Sequence, residues 1–558
     1  MRTSRVVVGV GLGACVAAML VAIEMDSVAV RREARAGPQS EPQGLRNAAY
    51  VLDCAAPNHP ISPLIYGIGG GGALPLTLGA TARRWGGNPT SRYNWELNTW
   101  SLAKDWYFRN TGGEPGASYD QFLVDNQAHG VKTAFTLPML DWVAKDSTSY
   151  SFPVSVFGPQ QSTGWDVPDS GNGVRPDDSP LTPGTPMRTS VASTPDSIER
   201  WVRQIHENDR TRGRTVDSYI LDNEPMLWSS THRDVHPEPT TYDELLEKTI
   251  AYGSAVRRAD PEARIAGPAE WGWLAYHYSA KDVAAGVWLR PDRRQHGGEP
   301  LIPWYLRKVR EYEQLTGTRI LDILDVHFYP VGNGIGIGTG GETDPATVAR
   351  RIRSTRSLWD STYTDESWIN ERMRVLPLLR EWIAANHPGL AISIGEWNFG
   401  ADSHMSGGLA TAEALGRFGL EGVTSAYYWT SPADRSPAFW AFRAFRNFDE
   451  KGGRFLDWSV PVKGEAILAS LFASRDAASG RVVAVLLNLS PASPLSVRVE
   501  GTGCGTATTA RAFTYTGGEN GFADLAVSLT PDAIAATVAP YSITVLELNA
   551  TSSQPSVR

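Results

Sequence analysis

The sequence predicts a (β/α)8 barrel joined to a separate antiparallel β-sandwich, and three observations carry that expectation. Over residues 57–451, short apolar runs alternate with longer amphipathic stretches, which is the pattern of a parallel barrel rather than an antiparallel fold. Over residues 452–550, helical spacing fades and β-like segments alternate with turn residues, as in a sandwich. All 19 tryptophans lie between Trp85 and Trp458, so composition changes where the pattern does. A chain of 558 residues has room for both units, since a barrel takes about 250 residues or more.

Taken in order, the chain opens on a basic stretch, MRTSR, and an uncharged apolar run over residues 6–23. This is a secretory pattern, with Ala34-Arg35-Ala36 as an A-x-A cleavage site. The run is also long enough to span a bilayer, so residues 1–36 read as a signal peptide or an uncleaved anchor. Leu12-Gly13-Ala14-Cys15 faintly resembles a lipoprotein box, but the apolar run continues past Cys15. Each reading exports the bulk of the chain and expects no other membrane contact. Residues 37–47 form a polar linker, and residues 48–56 a strand able to pair with the C-terminal unit. Cys54 and Cys504 then remain. The plainer expectation is two unrelated buried thiols; a bridge becomes feasible if that N-terminal strand joins the sandwich.

Eight runs read as barrel strands: LIYGIG (64–69), RRWGG (83–87), VKTAFTLPML (131–140), SYILDNEP (218–225), ARIAGPAEW (263–271), ILDVHFYP (323–330), AISIGEWN (391–398) and TSAYYWT (424–430). Amphipathic stretches at 197–209, 241–260 and 373–387 supply helices between them, although the first interval is too short for one. Residues 145–196, rich in Gly, Pro, Ser and Asp, form a long insertion that reads as a functional loop or lid. Its Asp166, Asp169, Asp177 and Asp178 make a structural calcium ion conceivable, but they lack EF-hand spacing, and a solvated acidic loop is the plainer reading. The sandwich runs over 452–550 and a short tail over 551–558.

Composition narrows the class. Hydrophobic residues at 42% and charged residues at 20% exclude a polytopic membrane protein and a disordered chain. The net charge of −8, with only eight lysines and no basic block, argues against a nucleic-acid partner. Three cysteines exclude a disulfide-dense scaffold and a zinc module built on four thiolates.

In a parallel barrel the chemistry sits at the C-terminal strand ends. Glu224 ends the fourth strand, Glu270 the fifth and Glu396 the seventh, while Asp325 lies within the sixth. The fourth and seventh strands face each other across the barrel mouth. Two carboxyls there suit glycoside hydrolysis, which needs one acid held protonated and one ionised. Asn223, beside Glu224, could bind a sugar hydroxyl. His327 and Tyr329 alternate onto one face, where Tyr329 could donate to Glu396. Arg84 ends the second strand, where its charge could hold Glu396 ionised. Trp429 ends the eighth and could floor a sugar site. Singly, each has a blander reading, such as a solvated loop acid or a core histidine; together they are far more specific.

These residues also match a family. The sequence resembles the family 44 glycoside hydrolases through ARRWGGNPTSRYNW (82–95), FPVSVFGPQQ (152–161), DSGNGVR (169–175), LDNEP (221–225), GPAEWGW (267–273), DVHFYP (325–330), SLWDSTYTDESW (357–368), GEWN (395–398) and SPAFWAFRAFRNFD (436–449). The resemblance covers roughly residues 50–550. It implies endo-acting, retaining hydrolysis of β-1,4-glucans, including xyloglucan, by a secreted enzyme that we expect to be monomeric and to need no cofactor. It marks Glu224 as general acid/base and Glu396 as nucleophile, and carries substrate-lining aromatics over to Trp429 and Trp359. Trp85, Asn88 and Trp397 lie in the shared segments and join the substrate-binding candidates. The rival expectations are a retaining xylanase or arabinofuranosidase on the same plan, and a non-catalytic glycan-binding surface protein.

Overall fold

The computed structural model describes residues 44–70, 72–113, 118–338, 342–476 and 478–550. The apolar run, its cleavage site, most of the linker and the 551–558 tail lie outside these residues.

The first strand, β1 (Arg46–Asp53), belongs to the C-terminal unit. The barrel follows: β2 (Gly67–Gly69), β3 (Ala82–Trp85), β4 (Lys132–Leu137), β5 (Ser218–Leu221), β6 (Ile265–Glu270), β7 (Ile323–Phe328), β8 (Ala391–Trp397) and β9 (Ser425–Tyr428). These eight close into one barrel in chain order, every pairing parallel. Small side chains fill part of its interior, with Ala82, Ala134, Ile220, Ala266 and Ile323 packed together. The interval between β2 and β3 holds only a single 3-10 turn, as its length predicts.

The outer helices form where the apolar stripes predict them. Pro195–Arg212 starts on Pro after an extended Thr194, buries Ile198, Trp201, Val202 and Ile205, and stops at Gly213, whose φ is 80°. Tyr242–Ala259 likewise buries one stripe, with Leu245, Tyr252 and Val256, and Val375–Asn386 another, with Leu376, Leu379 and Ile383.

The insertion after β4 is organised rather than structureless. A two-stranded ribbon, Trp142–Ala144 with Ser190–Ala192, closes its base. Arg233, which follows the β5 loop, ties down its middle. Its guanidinium lies over the rings of Phe108 and Phe152 and donates to the carbonyl of Leu181.

The C-terminal unit is two sheets. One pairs Val462–Lys463, β1, Leu495–Thr502, Ala533–Val538 and Ser528–Leu529. β1 runs parallel to Leu495–Thr502, so one pairing departs from the antiparallel expectation. Cys54 and Cys504 are bridged, with Cα atoms 5.0 Å apart, which corrects the expectation of two separate thiols. Pairing β1 beside Leu495–Thr502 is what brings them together. The other sheet shares a core with the barrel: Trp440, on helix Pro437–Arg446, lies against Tyr515 and Phe522. Gly416 lets helix Met405–Leu420 approach so closely that a Cβ there would enter the Phe472 ring. No helix among the described residues is long and apolar enough to cross a membrane.

Candidate active site

The strand ends of β3, β5, β7 and β8 converge on one cluster. β5 stops at Leu221, and the chain then turns sharply, with Asp222 at φ 63° and Glu224 at φ 47°. A left-handed non-glycine residue costs about 1–2 kcal/mol, so the turn needs support. Asp222 supplies it: its buried carboxylate accepts from the backbone N–H of Asn223 (2.7 Å) and Met139 and from the Ser91 hydroxyl. The N–H of Glu224 donates to the Ala269 carbonyl (3.0 Å), and that of Met226 to Glu270 (3.4 Å). The β5 loop is therefore clamped between β4 and β6.

Arg84, fully buried, is the hub. It pairs with Glu396 through Nη1 and donates through Nη2 to Asn223 Oδ1 (2.9 Å). Nη2 also lies 3.4 Å from Nε2 of His327. A guanidinium can only donate, so Nε2 accepts and the His327 proton sits on Nδ1. Nδ1–H then donates to Glu224 Oε1 at 2.9 Å. Burial lowers the His327 pKa to about 3, so this contact is a hydrogen bond from a neutral ring rather than an ion pair. Oε2 of Glu224 is left free to carry a proton. Tyr329 donates to Glu396 Oε2 at 2.7 Å. One ligand atom from each of Glu224, His327 and Glu396 lies within 4.8 Å of the others.

The two carboxyls have opposite surroundings. Glu396 holds the guanidinium and a phenol. Burial raises Glu224 to about 7, with Arg84 pulling the other way. Asp325, beneath them, is also raised to about 7 by burial. Gly395 makes room for it, since a Cβ there would meet the Asp325 carboxyl. Glu270 is raised well above its ordinary value, again by burial. Three buried or nearly buried carboxyls, Glu396, Glu224 and Asp325, thus feel a single guanidinium, and Glu270 lies beside Glu224.

Trp429 lies beside this cluster, half-buried, with Arg84 6.0 Å from its ring centre. Its indole fills the space over Gly69 and Gly87, where any Cβ would collide with it. Asn88 joins through Asn223 (3.2 Å). The other three tryptophan candidates are not brought to the cluster. Trp85 packs among Tyr93, Phe122 and Phe135, and the fully buried Trp397 among Phe418, Tyr428 and Phe442. Trp359 lies against the core with Arg417 over its face at 3.6 Å. These rings are committed to packing.

The aspartates of the insertion do not converge either. Asp166 pairs with Arg109 (2.6 Å), Asp169 accepts from Tyr150 (2.8 Å), Asp177 from Ser179 and Asp178 from Gln161 (2.6 Å). Among the described residues, only Glu224, His327 and Glu396 stand close enough together to hold an ion. A ring with its proton on Nδ1 and a carboxyl that favours its protonated form suit proton transfer better than a cation. Two polar residues of the site carry no sequence signal of function: Asp222, visible only as a neighbour in LDNEP, and Asp105, which accepts from Asn88 Nδ2 at 3.0 and 3.2 Å.

The chain is similar to known proteins over most of its length. Residues 99–332 match the model of glycoside hydrolase family 44. Endoglucanase A of Paenibacillus lautus is 29% identical over 541 residues, covering 93% of this chain and 75% of that protein. The crystal structure of CelM2, a bifunctional glucanase-xylanase from a metagenome library, superposes with a TM-score of 0.86 at 34% identity, covering 91% of this chain and all of that one. A Paenibacillus polymyxa xyloglucanase of family 44, solved with xyloglucan, gives a TM-score of 0.76 at 26% identity over 91% of this chain and all of that one.

Proposed function

The chain belongs to glycoside hydrolase family 44, and from that premise we propose that it cleaves β-1,4-linked glucans internally, by double displacement with retention of configuration. It is a glycoside hydrolase and acts without a cofactor. The observation that carries the mechanism is the pair Glu224 and Glu396, close together and oppositely surrounded. Their nearest approach, within 4.8 Å, fits the ~5–5.5 Å carboxyl separation of retaining enzymes better than the ~6.5–9.5 Å of inverting ones.

Glu396, paired with Arg84 and oriented by Tyr329, attacks the anomeric carbon. Glu224 gives its Oε2 proton to the leaving oxygen, while His327 holds Oε1. Glu224, now ionised, takes a proton from water, and that water releases the glycosyl-enzyme. Asn223, held by Arg84 and Asn88, presents its amide beside the scissile bond, and Trp429 floors the sugar.

The apolar N-terminal run and the Cys54–Cys504 bridge support action outside the cytoplasm. Xylan is a second candidate substrate, favoured by the likeness to the glucanase-xylanase CelM2. The deciding experiment is a hydrolysis screen on carboxymethylcellulose, xyloglucan, xylan and aryl glycosides. Endo-cleavage gives a rapid fall in viscosity; release of monosaccharide alone would overturn the reading.

A further inference from the structure

One charged residue beside the proposed acid has no place in the mechanism. The loop between β3 and β4 bends through four non-glycine residues at positive φ: Asn98, Ala103, Tyr107 and Phe108. The short helix Ala103–Trp106 in this loop packs against two neighbours. One is the turn Asn88–Arg92 leaving β3, and the other is the helix Trp228–Thr231 that follows Glu224. Asp105 is thereby held beside the β5 loop, exposed to solvent by its accessible surface while neighbouring protein crowds its carboxyl.

A directed hydrogen-bond chain ends on it. Arg84 donates to Asn223 Oδ1 (2.9 Å), Asn223 Nδ2 to Asn88 Oδ1 (3.2 Å), and Asn88 Nδ2 to both oxygens of Asp105 (3.2 and 3.0 Å). The guanidinium can only donate and the ionised carboxylate can only accept, so both amides have one orientation. The charged groups facing Asp105 are Glu224, from the β5 loop, and Lys104, on its own turn; Arg233 faces Lys104 in turn. The Asn88–Arg92 turn presents it only the neutral amide of Asn88. Asp105 thus fixes Asn223 from one side and puts negative charge in the cleft on the other.

We propose that Asp105 is a charge filter on the substrate, favouring neutral sugar units beside Glu224 and repelling backbone units that carry a carboxylate, as in glucuronoxylan or carboxymethylcellulose. This rests on the reading of Glu224 as the acid. Burial first, and then Glu224, raise the Asp105 carboxyl to about 6, so the filter is charged above that pH and discharged below it.

The test compares initial rates of the purified full chain on carboxymethylcellulose and on neutral hydroxyethylcellulose, at about pH 5 and about pH 7.5, on either side of the Asp105 value. The carboxymethyl groups are ionised at both, and loss of the general acid affects both substrates alike, so the ratio of rates isolates the filter. For the wild type, the ratio should fall roughly threefold to tenfold between the two pH values, as expected for like charges several ångströms apart in a partly solvated cleft. High salt should shrink the fall. Asp105→Asn keeps an acceptor for Asn88 and should abolish the fall; Asp105→Glu should retain it. A wild-type ratio that does not change, or an equal fall in Asp105→Asn, overturns the proposal. So does a loss on both substrates with selectivity intact, which is what a purely structural role would give. No cleavage of hydroxyethylcellulose by the wild type would instead sink the underlying glucanase reading, and the filter with it.

Discussion

Replacing Glu224 with Gln should cut glucan hydrolysis by orders of magnitude and, at alkaline pH, stabilise the fold. The carboxyl is raised from an ordinary 4.5 to about 7, chiefly by burial. Each unit corresponds to about 1.4 kcal/mol between the two protonation states, so the folded protein disfavours ionised Glu224 by an amount on the order of 3 kcal/mol. The sign follows from linkage. Between the unfolded and folded values the native state holds more protons than the unfolded one, so stability declines as pH rises through this window. Gln has no such dependence, and its carbonyl can accept the His327 Nδ1–H in place of Oε1. The variant should therefore match the wild type within error near pH 4 and exceed it at about pH 8 by up to ~3 kcal/mol, or roughly 3 °C in Tm for a chain this long. Activity on an unactivated glucan should fall by about 100-fold to 10,000-fold, the usual contribution of a general acid. In the wild type, kcat should decline with rising pH through about 7, as the acid loses its proton. Calorimetry at the two pH values and a viscosity assay check both arms. An equal stability difference at both pH values would refute the burial argument. Near-full activity would refute the assignment of the acid and move attention to Glu270.

Three other outcomes follow from the same geometry. Glu396→Ala should lose activity by orders of magnitude, and added azide should restore turnover and give a glycosyl azide of inverted configuration by NMR; rescue with retention would contradict its role as nucleophile. Gly69→Ala puts a Cβ into the indole of Trp429 and should reduce glucan turnover while costing about 1–3 kcal/mol of stability, read from denaturant melts; wild-type activity would mean that the position of the indole does not matter. Replacing Cys54 and Cys504 together with Ser opens a link between residues 450 apart and should cost about 2–4 kcal/mol, seen as a lower denaturation midpoint; an unchanged midpoint would mean β1 docks as firmly without the bridge.

The barrel was legible because both faces of its strands are buried, so each reads as a short apolar run whatever its neighbours do. The helices were legible from their stripes. The ribbon Trp142–Ala144 with Ser190–Ala192 was not, because two three-residue strands so far apart leave no local pattern. The tryptophans show a subtler limit. Nearness to a strand end does not say which way a side chain points, but alternation does. Arg84 points into the barrel, so Trp85 points out into the helix layer; Glu396 reaches the mouth, so Trp397 is driven into the core. Asp105 could not be found this way, since it sits on an irregular loop and its importance lies entirely in what the fold brings beside it.

The charge arrangement links these observations. A buried guanidinium can sustain one carboxylate at close range, and Arg84 spends that capacity on Glu396. The remaining buried acids, Glu224, Asp325 and Glu270, are left without a cation of their own, and burial drives all three toward their protonated forms. On the proposed roles, the acid and the nucleophile differ in burial and in which of them the one arginine on β3 pairs with. Moving that charge, as in Arg84→Met, should disturb both groups at once. Glu396 would lose its ion-pair partner and Glu224 its opposing field, so the limb of the pH–activity profile set by the acid should shift upward. A variant in which that limb stayed in place would mean that Arg84 does not act on the acid.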